Sequence, residues 1–177
     1  MSALVSPPVN ITENTVLTLQ SYIKSNIASA LAAVRTDEER ASGINTEVPK
    51  EYFIAPQQHA FQCPAVFTIA EGVTINNDRG PNFLCATLDV IVSVVVEEKD
   101  SQRLTKKAWR YQDALYKLLN QSNFINDDGA TVRFRFTSKV ESINFSEDFS
   151  FHEESEKRSE FNKEVALVLS IELQEQP

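Results

Sequence analysis

Thirteen residues in the middle of the chain alternate almost without a break: Leu84, Ala86, Leu88, Val90, Val92, Val94 and Val96 are apolar, with Thr87, Asp89 and Ser93 between them. A period of two sends successive side chains to opposite faces of a strand, so this run demands a sheet with one face in a core. Ile91 and Val95 fall on the other face, which therefore needs cover of its own. At about 3.3 Å per residue such a run extends roughly 43 Å, more than twice the usual strand. It must either bend at a bulge or reach past its own domain.

Two helices flank this strand in the sequence. Asn10 stands three residues before Glu13, the spacing of a capping box. Val16, Leu19, Ile23, Ile27, Leu31 and Val34 then follow at steps of three and four, which lays one apolar stripe along a helix ending near Arg35. After the long strand, Asp100 or Ser101 is placed to cap a second helix, in which Leu104, Ala108, Tyr111, Leu115, Leu118 and Leu119 keep helical spacing up to Gln121. Trp109 lies off that stripe.

The remaining periodic runs read as strands. Ala65, Phe67 and Ile69 alternate before Gly72, so a strand ends there in a turn, and Asn76, Asn77, Asp78, Gly80 and Pro81 make the next break of a hairpin. A turn over 126–129 leads to Val132, Phe134 and Phe136, with Arg133 and Arg135 on the alternate face, and then to Val140, Ile143 and Phe145; these read as two strands. Val165, Leu167, Leu169, Ile171 and Leu173 make the last.

The order helix, hairpin, helix, three strands implies an α+β fold: a mainly antiparallel sheet with two amphipathic helices packed on one face. At 177 residues the chain fits a single domain, 1–177. Residues 1–10 read as a loose N-terminal arm, and 36–62 and 146–160 as long loops or hairpin extensions. Within the first of these, Tyr52, Phe53 and Ile54 either make a short strand or dock on a neighbour.

Composition narrows the function classes. A formal net charge of −8 argues against tight binding of nucleic-acid phosphates, which needs lysine and arginine to release counterions. No apolar run is long enough to cross a membrane as a helix, and residues 1–10 do not read as a secretory signal, so folding in a cytoplasm is expected. Two cysteines are too few for a disulfide framework.

Candidate chemistry is thin. Glu97, Glu98 and Lys99, with Asp89 or Asp78 upstream, supply the residue types of a magnesium-dependent nuclease, yet they fall at a strand-to-helix junction where solvated charges are the ordinary outcome. His59, Cys63 and Cys85 fall short of the four ligands of a structural zinc site, so the cysteines read as a packed pair. His152 lies apart in an acidic segment, the four glycines are scattered singly, and no phosphate-cradling loop exists. Arg133 and Arg135 form a basic stripe expected to meet carboxylates. The expectation is a protein that is not an enzyme and carries no cofactor.

Several local patterns, taken in order, resemble the tail-terminator and tail-to-head joining (tail completion) proteins of tailed bacteriophages. They are the proline-led strand Pro64, Ala65, Val66, Phe67; the long apolar strand 87–96; the helix begun at Asp100 with Trp109, Arg110, Tyr111, Ala114 and Leu115; and the final run from Val165 to Leu173. The resemblance covers almost the whole chain. It implies a structural virion protein in the neck or at the top of the tail, assembled in the host cytoplasm. There it would form a hexameric ring that ends the tail tube and docks on the head connector, with sheath or other tail proteins as further partners and DNA passing through non-specifically. Another neck adaptor, such as a head-completion protein, is the alternative within the same biology; outside it stand a binding-only module and, third, a metal-dependent nuclease. For such a ring, Ile91, Val95, Tyr52, Phe53, Phe149 and Phe151 are the expected subunit-interface residues. Glu97, Glu98 and Asp100, or Glu153, Glu154 and Glu156, are the expected carboxylates of lumen or rim.

Overall fold

A computed structural model describes residues 10–35, 43–57, 61–76, 85–125, 133–149 and 161–176. The elements run α1 (Ile11–Val34), β1 (Glu51–Phe53), β2 (Ala65–Asn76), β3 (Cys85–Glu98), α2 (Ser101–Leu119), β4 (Ser122–Ile125), β5 (Arg133–Phe145) and β6 (Phe161–Gln176). The strands form one sheet in the order β1-β2-β3-β6-β5-β4. Only β1 and β2 run parallel; the other neighbours are antiparallel. The fold is α+β, with a mixed six-stranded sheet and two helices.

The long alternating run neither bends at a bulge of its own nor leaves the domain. It pairs with β6 in one unbroken register from Cys85 opposite Gln174 to Glu98 opposite Phe161. An equally long partner makes its length useful. The irregularities lie in the flanking strands. Glu71 is an extra residue between Ala70, opposite Val90, and Gly72, opposite Asp89. Glu141 is an extra residue between Val140, opposite Leu169, and Ser142, opposite Val168. Val90 and Leu169 face each other, so both bulges lie on one transverse line.

These bulges explain two corrections. β2 does not end at Gly72 but continues to Asn76, because Gly72 has ordinary extended geometry and makes no turn. Residues 133–145 form one strand, not two: the added Glu141 breaks the alternation of the sequence while keeping Phe134, Phe136, Val140, Ile143 and Phe145 on one face. β4, four residues long, is too short to carry a legible period.

α1 starts without the expected capping box. Asn10 is its N-cap in the left-handed region with φ 70, and no side-chain bond closes the cap. The Asn10 backbone carbonyl instead accepts from the Asn14 N–H at 2.9 Å. The helix is only weakly amphipathic, since Leu17, Ala28, Ala32 and Ala33 are exposed opposite the buried stripe. α2 is capped as its sequence implies, with the Asp100 carboxylate accepting from Arg103 N–H at 2.8 Å, and it ends at Leu119.

One large core lies between both helices and one sheet face. Leu19, Ile23, Ile27, Leu104, Tyr111 and Leu115 pack over Leu88, Val90, Val92, Leu167, Leu169 and Ile171, all fully buried. Each such aliphatic side chain contributes about 1.5–3 kcal/mol by leaving water. Two polar groups in this core are bonded, Ser138 donating to the Leu119 carbonyl at 2.6 Å and Tyr111 to the Glu47 carbonyl, while the buried hydroxyls of Thr68 and Tyr52 find no partner among the described residues. The Tyr111 bond ties down residues 43–50 as a strap over α2, which Arg35 holds from α1 by donating to the Thr46 carbonyl at 2.9 Å. A second, smaller cluster covers one end of the opposite face: Cys63, Ala65, Phe67 and Val95, beneath Phe53, Phe61, Ile69 and Phe149.

Candidate interaction surfaces

The outer sheet face is where the sequence pattern places subunit contacts, and the structure divides the candidate residues. Phe53 stacks on Phe67 with ring centroids 5.1 Å apart, Phe61 meets both edge-on, and Val95 beneath them is 4% exposed. Phe149 joins this cluster through a backbone bridge to Asn162. Val95, Phe53 and Phe149 are thus brought together, and Val95 is sealed by the chain's own aromatic rings. Tyr52 points the other way into the main core, and burial raises its phenol above the ordinary value. Ile91 lies farther along β3, half-buried, level with Ile69 and Val168. Phe151 lies outside the described residues.

The carboxylates at the end of β3 sit in a cluster of mixed sign. Glu97 and Glu98 are partly buried, and the Glu98 side chain accepts from Lys99 N–H at 3.1 Å. Lys107 donates to the Glu97 backbone carbonyl at 3.1 Å. Asp100 is occupied at the helix cap. Beside them, Asp148 accepts from Lys163 at 2.6 Å and from the Ser101 hydroxyl at 2.5 Å, and these bonds hold its carboxyl below the ordinary range. No pattern in the sequence points to Asp148, Lys163 or Lys107 here, because only strand register brings residues 148 and 163 beside the start of α2. Glu153, Glu154 and Glu156 lie outside the described residues.

The geometry separates Asp89 from the carboxylates at the end of β3, and Cys63 from Cys85. Asp89 and Glu97 are eight positions apart on one strand, roughly 26 Å at 3.3 Å per residue, and do not converge on one ion. Among the described residues no group of three potential ligands gathers. Cys63 and Cys85 do not pack together: Cys63 leads into Ala65 opposite Val95, while Cys85 is at the far end of the same strand. Cys63 is buried beside Asn162, and burial, then the nearby Glu97 charge, pushes its thiol up to about 12. Asp78, His59 and His152 lie outside the described residues. Arg135 reaches the Asn123 amide oxygen at 3.4 Å instead of a carboxylate, and Arg133 stands opposite Gln176.

What the fold leaves uncovered is apolar and lies at its margins. β1 lines only residues 65–67 of β2, and β4 only 135–138 of β5. The outer edges of residues 68–76 and 139–145 have no strand beside them among the described residues. Val73 and Ile75 on β2 and Phe145 on β5 are exposed, as are Trp109 and Tyr116 on the outer side of α2. An open cleft of about 660 Å³ runs between the start of α1 and the β2 edge, lined by Ile11, Val16, Ile54, Ile69 and Val73 among others.

No family model matches the sequence, and no curated protein matches it. Among solved structures, one chain from the virion of a native gene transfer agent particle aligns over 86% of this chain and 94% of its own, with a TM-score of 0.36 and 10% identity. A likeness so slight carries no argument.

Proposed function

We propose that this chain is a structural subunit of a tailed-phage particle, one member of a hexameric ring that ends the tail tube and joins it to the head connector. The observation that supports this reading is the apolar surface that the described residues leave bare at both margins of one sheet. Val73 and Ile75 at one margin and Phe145 at the other are more than two-fifths exposed, and exposed apolar side chains of this kind at a sheet edge suit a protein partner. The order of elements on which the family resemblance rests also supports it. A ring needs subunits that offer two different patches and a rotation that closes.

In this role the protein belongs in the virion neck and is assembled in the host cytoplasm. Glu97, Glu98 and Asp100, or else Glu153, Glu154 and Glu156, are the carboxylates assigned in this reading to the bore or its rim, where negative charge keeps DNA phosphates sliding. Six copies would gather six times a formal charge of −8. The mass in solution, alone and with purified tail tubes, tests the ring. A discrete multiple of 19.9 kDa, or a ring formed on tube ends, is expected, and hosts lacking the protein should yield tails of uncontrolled length. A single folded chain that ignores tubes and connectors overturns the reading. Imaging of labelled particles separates the tail end from a head-completion position.

A further inference from the structure

The two edges that the described residues leave bare match each other. In β2, Val73 and Ile75 stand opposite Leu88 and Ala86 and so belong to the helix-side face, while Thr74 and Asn76 belong to the outer face. In β5, Ile143 and Phe145 stand opposite Leu167 and Val165 on the helix side, and Ser142 and Asn144 lie on the outer face. Val73 faces the start of α1 only across the open cleft, and Val73 is 42%, Ile75 47% and Phe145 43% exposed on a face that is otherwise core. Each segment begins just past the extra glutamate of its bulge. Bulges and edge charges are devices that limit where an edge pairs, and here they leave one short regular stretch on each side.

We propose that copies of this chain join head to tail by strand addition, residues 73–76 of one copy pairing antiparallel with residues 142–145 of the next. This rests on the ring reading and names the interface that builds the ring. Setting Thr74 opposite Asn144 places Val73 against Phe145, Ile75 against Ile143 and Asn76 against Ser142, apolar to apolar on one face and polar to polar on the other. The direction is right without turning either copy over, since β2 and β5 run oppositely in the sheet. β4 of the second copy then lies beyond the end of the first copy's β2, and β1 of the first beyond the end of the second copy's β5.

The offset that this pairing imposes can be checked against closure. Thr74 is level with Thr137 in its own sheet, six paired positions from Asn144 once the bulge is discounted, so neighbours slide by roughly 20 Å along the strands. Four long strands at about 4.8 Å spacing add roughly 19 Å across them. A step of equal parts along and across the strands tilts them by about 45° from a ring axis, at the upper end of the usual tilt in closed barrels. The same edges in register, without the slide, would set β4 against residues 73–76 and β1 against residues 144–145, and so leave both bare segments apart.

The test is a cysteine pair. In a Cys85→Ser background, Thr74→Cys with Asn144→Cys sits too far apart within one chain to bridge, two intervening strands and a large offset separating them. Mild oxidation should convert the full-length double variant into a disulfide-linked ladder ending at one ring size, while either single variant stays one chain on a non-reducing gel. Ile75→Glu with Phe145→Glu should return the solution mass to one chain with the circular dichroism spectrum unchanged. Rings that form without a ladder, and that survive the paired glutamates, overturn this interface and leave the ring reading intact. Absence of any assembly, alone or on tubes, overturns both. A Thr74→Cys single variant that dimerises by itself also overturns it, since that means β2 pairs with its own copy.

Discussion

Tyr111 and Asp148 each hold a connection that no periodic pattern announces. The buried Tyr111 hydroxyl is tied to the Glu47 carbonyl and so fixes the strap over α2. Tyr111→Phe leaves that carbonyl without its donor and should lower stability by about 1 kcal/mol, read from the urea midpoint. Asp148 is held below its ordinary value by Lys163 and Ser101. A carboxyl lowered in the folded state adds stability that is present above its unfolded value and disappears as pH falls through the lowered one. The advantage of the native chain over Asp148→Asn should therefore shrink as the pH drops below about 4 in a series of unfolding curves. The cysteines separate by burial: a thiol reagent at neutral pH should modify the half-buried Cys85 well before Cys63, as mass mapping of the labelled protein would show.

At the scale of elements, the parts legible in the sequence are those whose period is long enough to speak. The α1 and α2 stripes, the Asp100 cap, and the strands β3 and β6 follow from residues alone, because each repeats its pattern over several turns or pairs. The extent of β2 and the unity of β5 were hidden because one added residue reverses the alternation, and a reversed alternation looks like an ending. Gly72 compounded this, being read as a turn residue when it lies in extended strand. A Cβ there would meet the Asp89 carboxylate at an ordinary 3.8 Å, so Gly72→Ala should be neutral or slightly stabilising in thermal unfolding. Gly43 differs, with φ +67 and its carbonyl bound by Arg103 at 2.9 Å, and Gly43→Ala should cost about 1 kcal/mol. The outer-face cluster was only half legible: the pattern required a cover over Val95, but that the chain's own Phe53 and Phe61 supply it depends on a three-residue strand placed by pairing.

For the whole molecule, the two added glutamates have a consequence beyond their own strands. Glu71 and Glu141 stand at one height on either flank of a straight central pair. Because side chains alternate, each acts as a parity switch for everything beyond it. Excising either codon would turn the distal half of that strand inside out, sending its greasy tips to the solvent side and its hydroxyls and amides toward the helices. Two such lesions, far apart in the gene, should fail in the same way: a folded chain with its central plank intact that no longer recognises its own kind.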